Sequence, residues 1–272
     1  MLNKKKVKIG IVGCGAIGEG VALFINKTLK HQAKLSALAD MDELKAKKLS
    51  KKLRPNPQVC DIDNLIKKVD LIIEAASVDG ARLVLSKALK YKKDVVILSV
   101  GALIKDFSLL QKIKRAKINI YLSSGAISGV DGLGALSLAK IKKVTLTTSK
   151  PPKGLIGADY LKDRNINLKK LKKEKVIFRG NVRQAIKHFP KNINVAATIL
   201  ISTAFKNVEV CIKADPKLKR NIHCIRVEAE EGNLDMSIQN APSKINPKTS
   251  ALAILSTQYL LKKLFSPFKI GS

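Results

Sequence analysis

Tryptophan is absent from this 272-residue chain, aromatic residues make up only 4% of it, and acidic residues number 21 against 52 lysines and arginines. The four cysteines (Cys14, Cys60, Cys211, Cys224) show no CxxC pair and no Cys/His ligand spacing. That excludes a disulfide framework and a spacing-coded metal site, and it fits the reduced thiols of a cytoplasmic protein. No run approaches the roughly 18–20 uninterrupted apolar residues of a membrane span. The longest candidate, toward the C-terminus, is broken by Gln258, Lys262 and Lys263. A soluble protein with no membrane partner is the expectation. The basic start, Met1 to Lys6, imitates a signal peptide, but Gly10, Gly13, Gly15 and Gly18 interrupt the apolar run that follows, so no cleavage is expected.

The formal charge of +31 comes from 44 lysines and 8 arginines. Arginine is the residue that reads phosphates and base edges bidentately, and the lysines are spread from Lys4 to Lys269 rather than gathered in one arm. The balance reads as a solvated, lysine-rich surface that attracts acidic partners at low salt. No specific nucleic-acid partner is expected.

From about residue 6 to 121, short β-rich runs (7–12, 35–39, 71–75, 95–98, 118–122) alternate with helical patterns (16–30, 41–52, 81–91, 107–115). Strands that are apolar throughout and separated by helices imply a doubly wound parallel sheet covered on both faces. After Ser124 the pattern changes. A helix is expected over 126–139, a strand over 144–148, weak periodicity over 150–175, an extended run at 176–179 and a helix over 194–205. Three extended runs follow (207–212, 221–229, 234–239), the last two flanking the turn signal Glu230-Glu231-Gly232-Asn233. This is an α+β region with a mixed or antiparallel sheet. A last helix begins near Ala251, after Asn246-Pro247-Lys248-Thr249-Ser250. Two domains result: residues 1–122, completed by 246–272, and residues 123–245.

Gly13-Cys14-Gly15-Ala16-Ile17-Gly18 matches GxGxxG between an apolar strand and a helix, and Asp40 ends the next strand. Gly13 allows the tight turn, Gly15 lets the backbone approach a pyrophosphate, and Gly18 brings the helix close to the sheet. Free N–H groups of Ala16 and Ile17 at the helix start hold the phosphate charge. Asp40 accepts hydrogen bonds from the adenosine ribose and repels a 2′-phosphate, which favours NAD, whereas Lys45 and Lys47 nearby leave NADP open. The small-residue segments Glu74-Ala75-Ala76-Ser77 and Ser99-Val100-Gly101-Ala102 follow two strands and read as crevice lining at Ala76, Ser77 and Gly101, or as ordinary strand-ending turns.

A second small-residue loop, Ser123 to Gly129, sits where the first domain hands over to the second, a natural place to meet a nicotinamide. With the stretch Pro190-Lys191-Asn192-Ile193-Asn194-Val195, the single His223 and the Asn246–Ser250 segment, the chain resembles L-aspartate dehydrogenase along nearly its whole length. The resemblance implies a Rossmann domain, a second domain whose open sheet lies at the subunit interface, and a homodimer. It implies oxidation of aspartate to iminoaspartate with NAD or NADP, a step toward NAD biosynthesis. Ala126 matches the family's cofactor-binding alanine, the cofactor-binding asparagine falls in the Asn192/Asn194 pair, and His223 matches the proposed catalytic histidine.

Oxidising an α-amino acid requires a neutral amine, so a base with reach to the ammonium or to a water is needed. His31 ends a polar helix and should face solvent, and His188, just before Phe189-Pro190, is a second candidate. His223 shares a strand face with Ile225, Val227 and Ala229. A lone inward histidine is more often a hydrogen-bonded core residue, and its place in the family pattern is what points to catalysis. A dicarboxylate also needs cations or N–H donors. Lys150, Lys191, Lys248, Thr249 and Ser250 are the candidates, although surface lysines and a helix cap at Thr249/Ser250 account for them equally well. The alternatives are another two-domain NAD(P) oxidoreductase, like homoserine dehydrogenase or dihydrodipicolinate reductase, and a non-catalytic protein that senses dinucleotides or binds nucleic acid.

Overall fold

The computed structural model describes residues 5–105, 107–189, 194–246 and 249–271. It divides into two compact units, Met1–Ser123 with Ala253–Ile270, and Ser124–Leu252 with Gly271–Ser272.

In the first unit β1 (Val7–Val12), α1 (Ala16–Thr28), β2 (Ala33–Ala39), α2 (Glu43–Lys51), β3 (Gln58–Val59), α3 (Ile62–Lys68), β4 (Leu71–Glu74), α4 (Val78–Tyr91), β5 (Asp94–Ile97), α5 (Gly101–Lys105), α6 (Phe107–Arg115) and β6 (Ile120–Leu122) follow in turn. All six strands pair in parallel, in the order β3-β2-β1-β4-β5-β6. The strand order reverses at β1/β4, and such a switch point opens a crevice at the strands' carboxyl ends. Ile9, Ile11, Leu38, Ile73 and Val96 are fully buried and meet Val21 and Ile25 of α1 in one core. Each contributes about 1.5–3 kcal/mol of apolar burial. Leu261, from the chain's last helix (Ala251–Phe265), joins the same core. Gln258 of that helix donates to the Gly20 carbonyl at 2.9 Å.

The caps explain where the helices start. Asp42, Asp61 and Ser77 each accept a first-turn N–H, of Lys45, Asn64 and Gly80, at α2, α3 and α4. β3 and α3 fall between the segments expected from the pattern. A two-residue strand and a seven-residue helix are too short to show a period, and only the Asp61 cap marks them locally.

The second unit carries α7 (Val130–Leu136), β7 (Ile141–Lys150), a 3₁₀ turn (Pro152–Gly154), α8 (Asp159–Asp163), β8 (Lys175–Asn181), α9 (Val182–His188), α10 (Asn194–Thr203), β9 (Glu209–Ala214), β10 (Asn221–Ala229) and β11 (Gly232–Asn240). The last helix, Ala251–Phe265, is α11. Its five strands run β11-β10-β7-β9-β8, with β7–β9 parallel and the other pairs antiparallel. This is the mixed sheet expected. The helix expected over 126–139 is corrected to α7 alone. Gly125 (φ +64°) and Gly129 (φ +68°) place left-handed residues in the segment before it, and the Ala126 carbonyl bonds to a side chain instead of a helical N–H. α9 was not anticipated, although Asn181 and Gln184 form a reciprocal capping box at its start.

Glu74, at the end of β4, is fully buried. It accepts from the backbone N–H groups of Ala76 (2.8 Å) and Ser99 (3.0 Å) and from the Ser99 hydroxyl (2.8 Å). Burial raises its pKa against those bonds. The carboxylate therefore ties the ends of β4 and β5 together. Glu74→Ala leaves these donors orphaned, at about 1–3 kcal/mol each. Urea unfolding should show a clearly lowered midpoint, and an unchanged midpoint would refute this role.

Candidate active site

At the carboxyl end of β1, Gly13 takes φ +100°, and a Cβ there would strike the backbone of Ala75 and Ala76. A Cβ on Gly18 would collide with the Gly13 carbonyl oxygen, whereas one on Gly15 would meet nothing within 4 Å. Gly13 and Gly18 are thus demanded by close packing, while Gly15 borders open space above the start of α1. That start has no side-chain cap, unlike α2, α3 and α4. Its first-turn N–H groups are orphan donors of the kind that bind a phosphate. The loop fits a dinucleotide pyrophosphate.

Asp40 braces this loop. Its Oδ2 accepts the Cys14 N–H at 2.6 Å and its Oδ1 accepts the Asp42 N–H at 2.9 Å. A carboxylate has about four lone-pair sites, so acceptor capacity remains for ribose hydroxyls. Burial foremost, and then the charge of Asp40, pushes the Cys14 thiol up to about 12, which keeps it protonated and inert. Lys45 and Lys47 pair with Asp42 (3.4 Å) and Glu43 (2.8 Å) on α2. They are engaged on their own helix. Ala76 and Ser77 are exposed at the β4 end, where Ser77 also caps α4, and Gly101 is buried at the start of α5.

In the second unit His223 lies on β10, 4% exposed, on the same covered face as Ile225, Val227 and Ala229. Opposite it in the β7 register stands Thr148, and Thr148 Oγ1 lies 2.9 Å from His223 Nδ1. Lys150, two residues along β7 on the same face, is 9% exposed. Burial pushes its pKa down to about 8. Burial, and then the Lys150 charge, pushes His223 down to about 4. Both effects favour the neutral imidazole. Thr148 and Lys150 also line a small cavity with Leu146, Phe189, Ala196 and Ile212. The arrangement provides a neutral ring and a dry cation side by side, suited to an anionic substrate that must lose a proton.

A second polar knot joins three segments. Asn240, 4% exposed at the end of β11, donates from Nδ2 to the Ala126 carbonyl at 2.8 Å and accepts the Ser250 hydroxyl on Oδ1 at 2.6 Å. Ser243 N–H bonds the Thr249 carbonyl and Ala251 N–H the Ala241 carbonyl, so the segment holding Thr249 and Ser250 folds back along residues 241–243. Ser250 and Ala126 are thereby brought to one side chain. The partners of Asn240 and Thr148 have no local signal in the sequence, because both side chains act on residues distant along the chain.

Of the other candidates, His31 is exposed beyond α1. His188 packs its ring 4.8 Å from that of Tyr160 in a cluster with Phe178, a packing role. Asn194 starts α10 and is exposed. Lys191, Asn192 and Lys248 lie outside the described residues.

Residues 131–264 match the family described as aspartate dehydrogenase, C-terminal, and residues 13–123 match the homoserine dehydrogenase NAD-binding domain. The L-aspartate dehydrogenase of Methanosarcina acetivorans is 46% identical over 98% of this chain and 100% of its own length. That of Methanosarcina mazei is 44% identical over the same shares. The crystal structure of aspartate dehydrogenase from Thermotoga maritima superposes with a TM-score of 0.77 at 28% identity, covering 98% of this chain and 100% of that one. Similarity that runs from the glycine turn through both sheets to the last helix, at this level of identity, means that the chain belongs to the L-aspartate dehydrogenase family.

Proposed function

We propose that this protein oxidises L-aspartate to iminoaspartate with a nicotinamide dinucleotide, the imine feeding NAD biosynthesis or hydrolysing to oxaloacetate and ammonia. The observation that carries this reading is the buried pair of a neutral His223 and a cationic Lys150 on one sheet face, in a chain of this family. The dinucleotide belongs on the Gly13–Gly18 turn with its ribose on Asp40. When bound, the nicotinamide supplies the acceptor for the hydride from Cα.

The residues of the chain do the rest. Lys150 holds a substrate carboxylate, which a desolvated ammonium does more strongly than one in water. His223 takes a proton from the ammonium, freeing the nitrogen lone pair to form C=N as the hydride leaves, so the products are the iminium form, the reduced nicotinamide and a protonated ring. An imidazole near pKa 4 is a weak base in the free enzyme. Burial is the larger cause of that low value and the Lys150 charge the smaller; a carboxylate paired with Lys150 offsets the smaller part and raises the basicity of the ring when substrate arrives. Asp40, with Lys45 and Lys47 already paired, favours NAD over NADP. The exposed face of the second sheet, with Cys224, Arg226, Asp235 and Ser237, is the surface for a homodimer. Four free cysteines suit a cytoplasmic location.

The direct test follows reduced-nicotinamide absorbance with a panel of amino acids and NAD or NADP. L-aspartate should turn over and homoserine should not, and the reverse would overturn the reading. His223→Ala should lower kcat by about 10²–10⁴-fold with NADH binding within about twofold. Unchanged turnover removes His223 from the chemistry. Lys150 is charged below its pKa of about 8 and neutral above it. Inhibition by succinate, a dicarboxylate without an amine, should therefore weaken about tenfold per pH unit above that value. Lys150→Met should flatten this limb, and a wild-type inhibition constant constant to pH 9.5 would contradict the assignment.

A further inference from the structure

The second ring nitrogen of His223 carries the next step, which rests on the reading that this ring handles the substrate's proton. A neutral imidazole has one N–H and one lone pair, and the partner of one nitrogen decides what the other can do. Here that partner is a hydroxyl. Thr148 and His223 face each other in an antiparallel register that runs unbroken from Ile222 opposite Ser149 to Glu228 opposite Lys143. Their 2.9 Å contact is therefore fixed by two backbones rather than by one loop. Thr148 is 6% exposed and β-branched, so its χ1 is stiff.

We propose that Thr148 is a positioning residue of the reaction: its Oγ1 accepts the Nδ1–H of His223, which leaves the Nε2 lone pair for the substrate.

The opposite arrangement, with the hydroxyl donating to Nδ1, puts the ring proton on Nε2 and leaves nothing there to accept one. With Thr148 accepting, a single geometry serves both protonation states. The Nδ1–H···Oγ1 bond persists while Nε2 gains and loses its proton, and no hydroxyl needs to rotate. A carboxylate in place of Thr148 would also hold Nδ1–H, but it would stabilise the imidazolium and compete for Lys150, two residues along β7. A hydroxyl orients the ring without adding charge. The ring can therefore give its proton up again. The threonine is the residue type that satisfies both demands at this position.

The test reads the ring directly. The chain has three histidines, so ¹⁵N-histidine labelling gives three sets of ring-nitrogen resonances, with His223 assigned by its loss in His223→Gln. In the substrate-free wild-type protein, His223 should show a protonated Nδ1 and a bare Nε2. Thr148→Ser, which keeps the hydroxyl, should keep this tautomer and hold kcat within about threefold. Thr148→Val, which keeps the shape, should lose the tautomer preference and lower kcat by about 10–100-fold, with aspartate KM and NAD binding within about twofold. A protonated Nε2 in the wild-type protein, or Thr148→Val turning over at the wild-type rate, overturns the proposal. The ring assignment needs neither a variant nor a substrate. It stands or falls whatever amino acid the enzyme oxidises, and an inert wild-type enzyme would fault the functional reading alone.

Discussion

The β7–β10 ladder is the constraint on which the proposed chemistry of the second unit depends. Its register sets Thr148 against His223 and, on the same face of β7, brings Lys150 beside them. Because side chains alternate across a strand, a slip of one residue would turn Thr148 and Lys150 to the opposite face. Val144, Leu146, Ile225 and Val227, buried on the same face as the trio, hold the register. Their burial is what makes the polar trio's position affordable. The trio is dry for the same reason, and dryness is what lowers both the lysine and the histidine toward their neutral forms.

The first unit solves a different problem, that of bringing backbone close to a bound anion. Gly13 and Gly18 are required by contacts within the fold, whereas Gly15 borders open space. Asp40 and Glu74 are the braces. One joins the end of β2 to the glycine turn, and the other joins the ends of β4 and β5. Both side chains accept backbone N–H groups, so the strand ends around the crevice are held by hydrogen bonds as well as by packing.

Much of this was legible in the chain itself, for physical reasons that also mark the limit. Strands buried on both faces, such as β1 and β4, are apolar throughout and announce themselves. The glycine turn is read from its spacing between an apolar strand and a helix, and Gly13 and Gly18 answer steric demands of the fold. The inward face of His223 follows from alternation along β10. What escaped were partners that only the fold brings together. Thr148 reads as one more threonine in Thr145-Leu146-Thr147-Thr148 until β10 is placed beside it, 75 positions along the chain. Asn240 and Ala126 are separated by 114 positions. The expected helix over 126–139 failed for the same kind of reason: the Ala126 carbonyl is claimed by a side chain that no local pattern contains. Short elements such as β3 and α9 lack the length to show a period, and their caps are the only local trace.

The central claim is that a neutral ring oriented by Thr148 and a dry cation at Lys150 receive the amine and a carboxylate of one substrate. The most direct measurement is a crystal structure with NAD and 2-methylaspartate, which has no hydrogen at Cα and cannot be oxidised. The account predicts the amine within hydrogen-bond distance of His223 Nε2 and a carboxylate on Lys150 Nζ. An amine held away from the imidazole, or both carboxylates bound elsewhere, would contradict it.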